Sequence, residues 1–450
     1  MLDIHYIREN VEELKKNILN RGLDSKIWDV GKLLELDKKR VGLIQQIEEV
    51  RAERNRMAEE IKDQISKIKD TDQSSKIEGD NIDKQRLSSE IIEQGRRLKD
   101  QIKELEVQLG QISHEWQGLM DLMPNIVSSQ MPIGKSSADN CEIKIWGEKK
   151  KLDFKLHDHL SIGKSLDLID TEKAAKVSGS RFYFLKNEAV LMQFGLFNLM
   201  LNKLVKAGFT PITTPCLVRE KAMYGTGYFP GERDQIYKIE KSNVEEGNEL
   251  YLTGTSEQAI ISFEMDTMFD ESELPKKYVG YSTCFRSEAG SWGKDTKGIK
   301  RVHQFDKVEM IYFTTPETSQ KYMQEALGFE EEILQELNLP YHIIDMCTGD
   351  VGLSTHRKFD VEVWLPSQNE YMEVQSNSDL GQYHSRRLNI KYRKKDGSLD
   401  FVHTISATGV TNTRPIAAIL DNYQKADGSV EVPQVLRSFV GKDIITPRII

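Results

Sequence analysis

Arg286, Glu288, Phe305, Lys307 and Glu309 fall within one short stretch, STCFRSEAGSWGKDTKGIKRVHQFDKVEM, running from Ser282 to Met310. Two strand-like runs flank a polar, glycine-rich, charged loop. Side chains two apart on a strand share a face. Arg286 and Glu288 therefore point one way, and on the return run His303, Phe305, Lys307 and Glu309 share a face. An antiparallel pair would present a guanidinium, an aromatic plane and carboxylates on one platform. A guanidinium can clamp a phosphate or a carboxylate through two hydrogen bonds. Phe305 can stack on a base, and Glu309 can pair with an ammonium. The platform thus suits a nucleotide and an amine-bearing substrate. The pattern alone equally admits a surface hairpin with ordinary cross-strand ion pairs. Cys284 shares the Arg286 face by parity and is read as a small packing residue.

Such a platform needs a sheet to carry it. From about Gly179 onward, YLTGT, YVGYSTCFRSE, RVHQFDKVEMIYF, FDVEVWL and YMEVQS read as strands, with helices between some of them. This is a mixed α+β pattern and not a regular βαβ alternation. No GxGxxG or GxxxxGK[ST] loop occurs, so nucleotide binding by the Rossmann or P-loop route is unsupported. The most membrane-like run, Ala189 to Val205, is interrupted by Gln193, Asn198, Asn202 and Lys203. It reads as a buried amphipathic helix, and no membrane association is expected.

The first third is different. Leu36, Leu43, Val50 and Met57 repeat every seven residues, and Ile47, Ile61 and Ile68 fill the offset positions. After a polar break, KDTDQSSKIEGD, the pattern returns in Leu87, Ile91, Leu98, Ile102, Leu105, Leu109, Ile112, Trp116 and Leu119. Sustained three-four spacing marks a coiled-coil seam. Two such helices joined by a short break should fold back antiparallel, each of roughly 34 residues and about 50 Å long. The other faces carry Arg51, Arg56, Arg86, Arg96, Arg97 and Lys99, which read first as a solvated surface: residues 1–120 hold 22 basic and 25 acidic side chains. Pro124, in MPNIVSS, stops the helix, and residues 124–165 read as a linker and lead-in segment.

Of the 450 residues, 38% are apolar and 30% charged, and the net charge is −9. That balance excludes a generally basic nucleic-acid binder but leaves room for a local basic patch. Cys141, Cys216, Cys284 and Cys347 form no CxxC pair. A disulfide scaffold and a thiolate zinc site are therefore not expected, and the composition fits a reducing cytoplasm. The opening MLDIHYIREN lacks the basic start and apolar run of a signal peptide. His114, His157, His159 and His384 show no metal-ligand spacing and read as surface or hydrogen-bonded histidines.

FRSEAGSWGKDTKG followed by HQFDKVE closely resembles motif 2 of the class II aminoacyl-tRNA synthetases, specifically the seryl-tRNA synthetase family. MLDIHYIRENVEELKKNILNRG, LLELDKKR, RAERN, GSRFYFL, GTGYFP, LTGTSEQA, CTGDVG, FDVEVWLPSQNEYMEV and NYQKADGSVEVPQVLR also look like that family, in its order. The resemblance implies an antiparallel coiled-coil arm followed by a class II catalytic domain, an antiparallel β-sheet with flanking helices. It divides the chain into a tRNA-binding helical domain, residues 1–123, and a catalytic domain with motifs 1, 2 and 3, residues 124–450. It implies a cytoplasmic homodimer. The enzyme would activate L-serine with ATP to seryl-adenylate, release pyrophosphate, and pass serine to the 3′ end of tRNA(Ser), held by the arm. Charging of tRNA(Sec) is left open. ATP is the implied co-substrate and Mg²⁺ the implied metal, with no zinc.

The same resemblance assigns roles by position. Pro215 matches the motif 1 proline of the dimer interface. Thr255, Ser256 and Glu257 match the loop that receives serine, Glu309 a carboxylate that contacts it, and Thr408 the reader of its hydroxyl. Arg286, followed by Ser287, matches the motif 2 arginine that holds the α-phosphate and the amino-acid carboxylate. Glu288, Val302 and Phe305 match adenine contacts. Glu373 and Ser376, with Val374 and Gln375 between them, match a Mg²⁺ and phosphate-binding segment. Arg414 matches the motif 3 arginine on the γ-phosphate. Arg286 and Arg414 are then the catalytic pair.

Some positions depart from the family pattern. Ser406-Ala407-Thr408-Gly409 stands where bacterial members often read Asn-Gly-Ser-Gly. Gln375 and Asp379 are expected to change polarity and charge beside the nucleotide, and Lys294 and Lys297 replace arginines. Two rival functions remain: an amino-acid:carrier-protein ligase, against which the full-length arm argues, and a coiled-coil protein with an inactive synthetase domain, against which Arg286, Glu288, Glu309, Glu373 and Arg414 argue.

Overall fold

The computed structural model describes residues 1–71, 80–240, 249–289 and 297–448, with side chains in the long helices described outside 64–91. The chain forms two compact units, Ser25–Leu122 and Met1–Asp24 together with Met123–Ile450. Only residues 25–122 of the stretch read as one helical domain stand apart. Helices α1 (Ile4–Glu9) and α2 (Val11–Asn20) belong to the larger unit. Leu14 and Ile18 of α2 are buried there. Arg21, just past its end, donates to the carbonyls of Asn125 at 2.9 Å, Gly352 at 3.0 Å and Thr355 at 2.5 Å.

The smaller unit is a hairpin of α3 (Val30–Thr71, 42 residues) and α4 (Asp80–Leu122, 43 residues). Both exceed the expected length and reach about 60 Å at 1.5 Å per residue. Contacts run antiparallel. Trp28 Nε1 donates to the Leu122 carbonyl at 2.9 Å, the Arg40 guanidinium lies 4.4 Å from the Trp116 ring, and Arg51 pairs with Glu106 at 2.7 Å. The heptads predict the seam: Leu36, Ile47, Val50, Leu98 and Ile102 are buried, with Met57 and Leu105 packed beside them. Arg56, Arg96 and Lys99 are exposed, and Arg97 faces Glu93 at 3.6 Å. Residues 72–79 and the side chains of Ile68, Arg86, Leu87 and Ile91 lie outside the described residues.

Among the described residues of the larger unit, eight strands form one sheet: β1 (Cys141–Trp146), β2 (Thr210–Thr213), β3 (Lys276–Phe285), β4 (Gln304–Thr314), β5 (Tyr341–Asp345), β6 (Arg357–Leu365), β7 (Glu370–Asp379) and β8 (His403–Thr411). Their order is β1-β5-β6-β7-β8-β4-β3-β2, antiparallel throughout except that β2 runs parallel to β3. The segment read as a linker thus supplies an edge strand. It escaped notice because Ile143 and Ile145 are exposed, so its alternation marks no buried face. Helices α5 (Glu188–Lys206), α7 (Ser319–Glu336) and α8 (Thr413–Asn422) cover one face of the sheet with the main core. Met192, Leu196, Met200 and Leu204 of α5 are buried, as its pattern predicts, and no described helix is long and apolar enough to cross a membrane.

Two irregularities on the sheet matter for the opposite face. Val308 pairs with Val410 but Glu309 pairs with Thr408, so Gly409 is an extra residue in β8. Val361 pairs with Gln375 but Glu362 pairs with Glu373, so Val374 is extra in β7. A bulge resets which side chains share a face.

Candidate active site

The open face of the sheet carries the platform. Cys284 pairs with Phe305 across β3 and β4, and Gly280 with Glu309. A Cβ on Gly280 would lie 2.9 Å from Ser256 Oγ and 2.3 Å from Ile260 Cδ1. Only glycine there lets helix α6 (Glu257–Phe263) and its leading loop close onto Glu309.

Glu309 is 1% exposed and saturated with donors. Lys307 Nζ at 2.5 Å and Ser406 Oγ at 3.0 Å reach Oε1. Ser256 Oγ at 3.0 Å, the Glu257 N–H at 3.1 Å and the Thr255 hydroxyl reach Oε2. Burial pushes its pKa up, but the Lys307 charge and these hydrogen bonds outweigh that and hold it below the usual carboxylate range. Glu257 is the opposite case. Burial, and then the Glu309 charge, push it up to about 7 against the pull of Lys307. His384 Nε2 lies 3.7 Å from Glu257, and burial lowers that histidine to about 3, so it stands there neutral.

Two adjoining cavities open on this floor. Arg286, Lys307 and Ser376 line both. The larger, of 440 Å³, holds Thr255, Glu257 and Glu309, and its far wall is the Asp350–Thr355 segment. The smaller holds Glu288, Val302, Phe305, Glu373, Val374, Gln375, Thr408 and Arg414. Arg286 Nε donates to the Gly254 carbonyl at 3.3 Å, and its guanidinium sits 5.2 Å from the Phe305 ring. Arg414 donates to the carbonyls of Glu373 at 2.8 Å and Lys300 at 3.1 Å and pairs with the Glu373 carboxylate at 3.1 Å. Burial raises the Glu373 pKa, but Arg414 and Lys358 overcome that and bring it to about 2. Lys300 and Arg301 add two more cations to the smaller cavity, and Arg301 pairs with Glu288. Five cations against two carboxylates make that cavity suited to a polyphosphate.

Glu373 and Ser376 are three apart and would face opposite ways on a regular strand. The extra Val374 turns both into the smaller cavity. A carboxylate that stays ionised beside a hydroxyl is a donor set Mg²⁺ accepts when phosphate oxygens and water complete its octahedron. The residues present therefore fit that ion.

Most, but not all, of the sequence-predicted residues converge here. Ser256 and Ser287 line neither cavity. Ser256 is spent on Glu309, and the Ser287 hydroxyl donates to the Asp234 carbonyl. Asp379 is not beside the nucleotide cavity: its carboxylate accepts from Ser319 Oγ at 2.6 Å and the Gly381 N–H at 2.8 Å. Gln375 does line that cavity, but its amide is tied to the Gly409 carbonyl at 2.7 Å, freed by the bulge. Cys284 is fully buried. Lys297 is exposed, and Lys294 lies outside the described residues. The prediction passed over Lys307 and Ser406 as ligands of Glu309. Both could have been found by parity, two residues from Glu309 and from Thr408.

An antiparallel sheet with a nucleotide cavity floored by an arginine-bearing hairpin defines a class II aminoacyl-tRNA synthetase core. Residues 237–423 match the family model described as tRNA synthetase class II core domain (G, H, P, S and T), and residues 1–127 match the seryl-tRNA synthetase N-terminal domain. The chain is 39% identical over 449 residues to the serine–tRNA ligase of Dictyoglomus turgidum, covering 100% of both. It superposes on the seryl-tRNA synthetase of Pyrococcus horikoshii complexed with ATP at a TM-score of 0.88, with 35% identity and 100% of both chains covered. For the cytoplasmic serine–tRNA ligase of Naegleria fowleri in complex with AMP the TM-score is 0.82, with 29% identity, covering 100% of this chain and 99% of that one. The chain belongs to the seryl-tRNA synthetase family.

Proposed function

We propose that the chain is a serine–tRNA ligase, which makes seryl-adenylate from L-serine and ATP and transfers serine to tRNA(Ser). The observation that carries this reading is Arg286 at the junction of two cavities, one built for an ammonium and one for a polyphosphate. Glu309 and Glu257 receive the serine ammonium in the larger cavity, and Thr408, paired with Glu309 across the sheet but lining the adjoining smaller cavity, reads its hydroxyl from that side. Arg286 holds the serine carboxylate against the α-phosphate. Phe305 and Val302 take the adenine beside Glu288. Arg414, Lys300 and Arg301 surround the outgoing phosphates.

A carboxylate oxygen attacks the α-phosphorus, and pyrophosphate leaves in line. Both reactants are anionic, so the barrier falls mainly through cations fixed where charge develops and through alignment. Glu373 and Ser376 would hold Mg²⁺, which would supply further charge neutralisation on the phosphates. In the second step a terminal ribose hydroxyl of tRNA attacks the acyl carbon and AMP leaves. The arm, residues 25–122, recognises tRNA by shape and backbone contacts.

A homodimer belongs to the same reading. Its support is an exposed Pro215 after β2 and the exposed Leu191, Phe194 and Val205 of α5. Four free cysteines support residence in a reducing cytoplasm.

Serine-dependent ATP–pyrophosphate exchange and tRNA charging, assayed on one preparation, test the reading. A serine–tRNA ligase does both. Exchange without charging would mark a carrier-protein ligase, and neither activity an inactive homologue.

A further inference from the structure

The CTGDVG segment, Cys347–Gly352, carries no role in the chemistry above, yet from Asp350 onward it lines the larger cavity together with Glu309. Its first half is clamped. The Thr348 N–H donates to the Pro132 carbonyl at 2.9 Å, and the Thr348 hydroxyl donates to the Asn20 carbonyl at the end of α2. A Cβ on Gly349 would lie 2.6 Å from the Gly134 carbonyl oxygen, so only glycine lets that turn pack this closely. Beyond it, residues 350–354 line the cavity, and Gly352 and Thr355 are the next fixed points. Arg21 holds those two carbonyls, and Asn125 holds the pair between them, its N–H on the Leu353 carbonyl at 2.7 Å and its Nδ2 on the Ser354 carbonyl at 2.9 Å.

Arg21 is 5% exposed, and the three acceptors of its guanidinium fork are main-chain carbonyls: Asn125, Gly352 and Thr355. Burial lowers its pKa to about 10, which still leaves it charged at neutral pH. A buried cation satisfied by carbonyls is a weak device for stability, since an apolar side chain of similar volume often serves as well. What a planar fork adds is the relative placement of three backbone points. One of those points is Asn125, just after α4, and Arg21 itself lies four residues before the smaller unit begins at Ser25.

We propose that Arg21 is a positioning residue for the transfer step, fixing the Asp350–Thr355 wall against which the acceptor end of tRNA lies. The proposal rests on the reading that the chain charges tRNA. The groups assigned to serine and ATP are all held by other elements: Glu309 by Lys307, Ser406 and the Thr255 loop, Arg414 by Glu373. Adenylate formation does not need the wall. A nucleoside end entering the remaining volume of the larger cavity does, because that side is bounded by backbone and small side chains and selects by shape.

The test uses the full chain with Arg21→Met, which keeps the stem and removes the fork, and Arg21→Lys, which keeps the charge. Thr348→Val releases the other end of the wall and guards against a poorly folding Arg21 variant. Two rates are read on each: serine-dependent pyrophosphate exchange, and single-turnover transfer of serine from the enzyme-bound adenylate to saturating tRNA(Ser). Expected are exchange within about twofold of the parent and transfer slowed by about tenfold or more, a size typical of a displaced reacting group. Arg21→Lys should rescue little. Transfer at the parental rate in a folded Arg21→Met overturns the proposal, and so does an equal fall of both rates. If the parent protein makes adenylate but transfers to no tRNA, the tRNA-charging reading itself fails, and the role of Arg21 with it.

Discussion

Lys307 and Glu309, two residues apart on β4, form a 2.5 Å ion pair in the floor of the serine cavity, at 8% and 2% side-chain exposure. On the proposed reading, the substrate ammonium meets a carboxylate that already has a cation, with the following consequence. Two acids and one lysine leave one negative charge over once Glu257 is ionised, and serine's ammonium cancels it. Serine binding is in this way tied to the proton on Glu257.

The first expectation concerns pH. A carboxyl raised to about 7 keeps its proton below that pH and loses it above. Serine should bind better as pH rises, with KM for serine about tenfold lower at pH 8 than at pH 6, as one ionisation centred near 7 requires. Glu257→Gln should have a high KM that no longer varies with pH. Pyrophosphate exchange across that range measures both, and a flat profile in the parent protein rules the linkage out.

Removing the other partner tests the floor itself. Lys307→Met leaves Glu309 buried without its cation, and such a group takes a proton in place of its charge. Exchange should fall by ~10²–10³, a loss typical of one electrostatic contact in a site. KM for serine should rise more than KM for ATP, because four other cations remain in the smaller cavity. An enzyme that keeps its serine affinity would show that Lys307 is dispensable.

Thr408 lies opposite Glu309 in the register of β8. If it reads the substrate hydroxyl, Thr408→Val keeps the shape and removes the partner. Serine should then lose most of its advantage over alanine in kcat/KM, because that advantage is a buried group left unpaired. An unchanged ratio would move hydroxyl recognition elsewhere.

The arm offers a cleaner separation. Trp28 and Leu122 are hydrogen-bonded at 2.9 Å, so the arm can be excised between them and its flanks rejoined by a short linker. The product should still make seryl-adenylate but lose tRNA charging. In the full chain, charging should weaken steeply with salt and exchange much less, since only charging involves cations displacing counterions from a phosphate backbone. Equal charging with and without the arm would make it a structural or partner-binding element.

The repeating elements were legible in sequence because their periods are set by geometry. The heptads predict the α3–α4 seam, and strand parity places Phe305, Lys307 and Glu309 on one face. Register was not legible. The extra Val374 and Gly409 leave no mark on an alternating pattern, yet they set Glu373 beside Ser376 and Glu309 opposite Thr408. The same limit misplaced Asp379, whose carboxylate turns to Ser319 and Gly381. β1 was hidden for another reason: an edge strand with exposed isoleucines looks like a loop.

That α1 and α2 belong with the larger unit has a consequence for how the chain is born. They leave the ribosome before the arm and the sheet, but Met1, Asp3 and Arg21 find partners in Tyr383, Arg386 and Gly352. At ~5–20 residues per second those partners follow only after tens of seconds. The arm, emerging between, needs only contacts within itself, and such local contacts form fast. A nascent chain therefore carries a finished hairpin flanked by an unfinished N-terminus, with Ile7, Leu14 and Ile18 uncovered. Residues 4–20, which a linear view would fold first, are therefore among the last to settle.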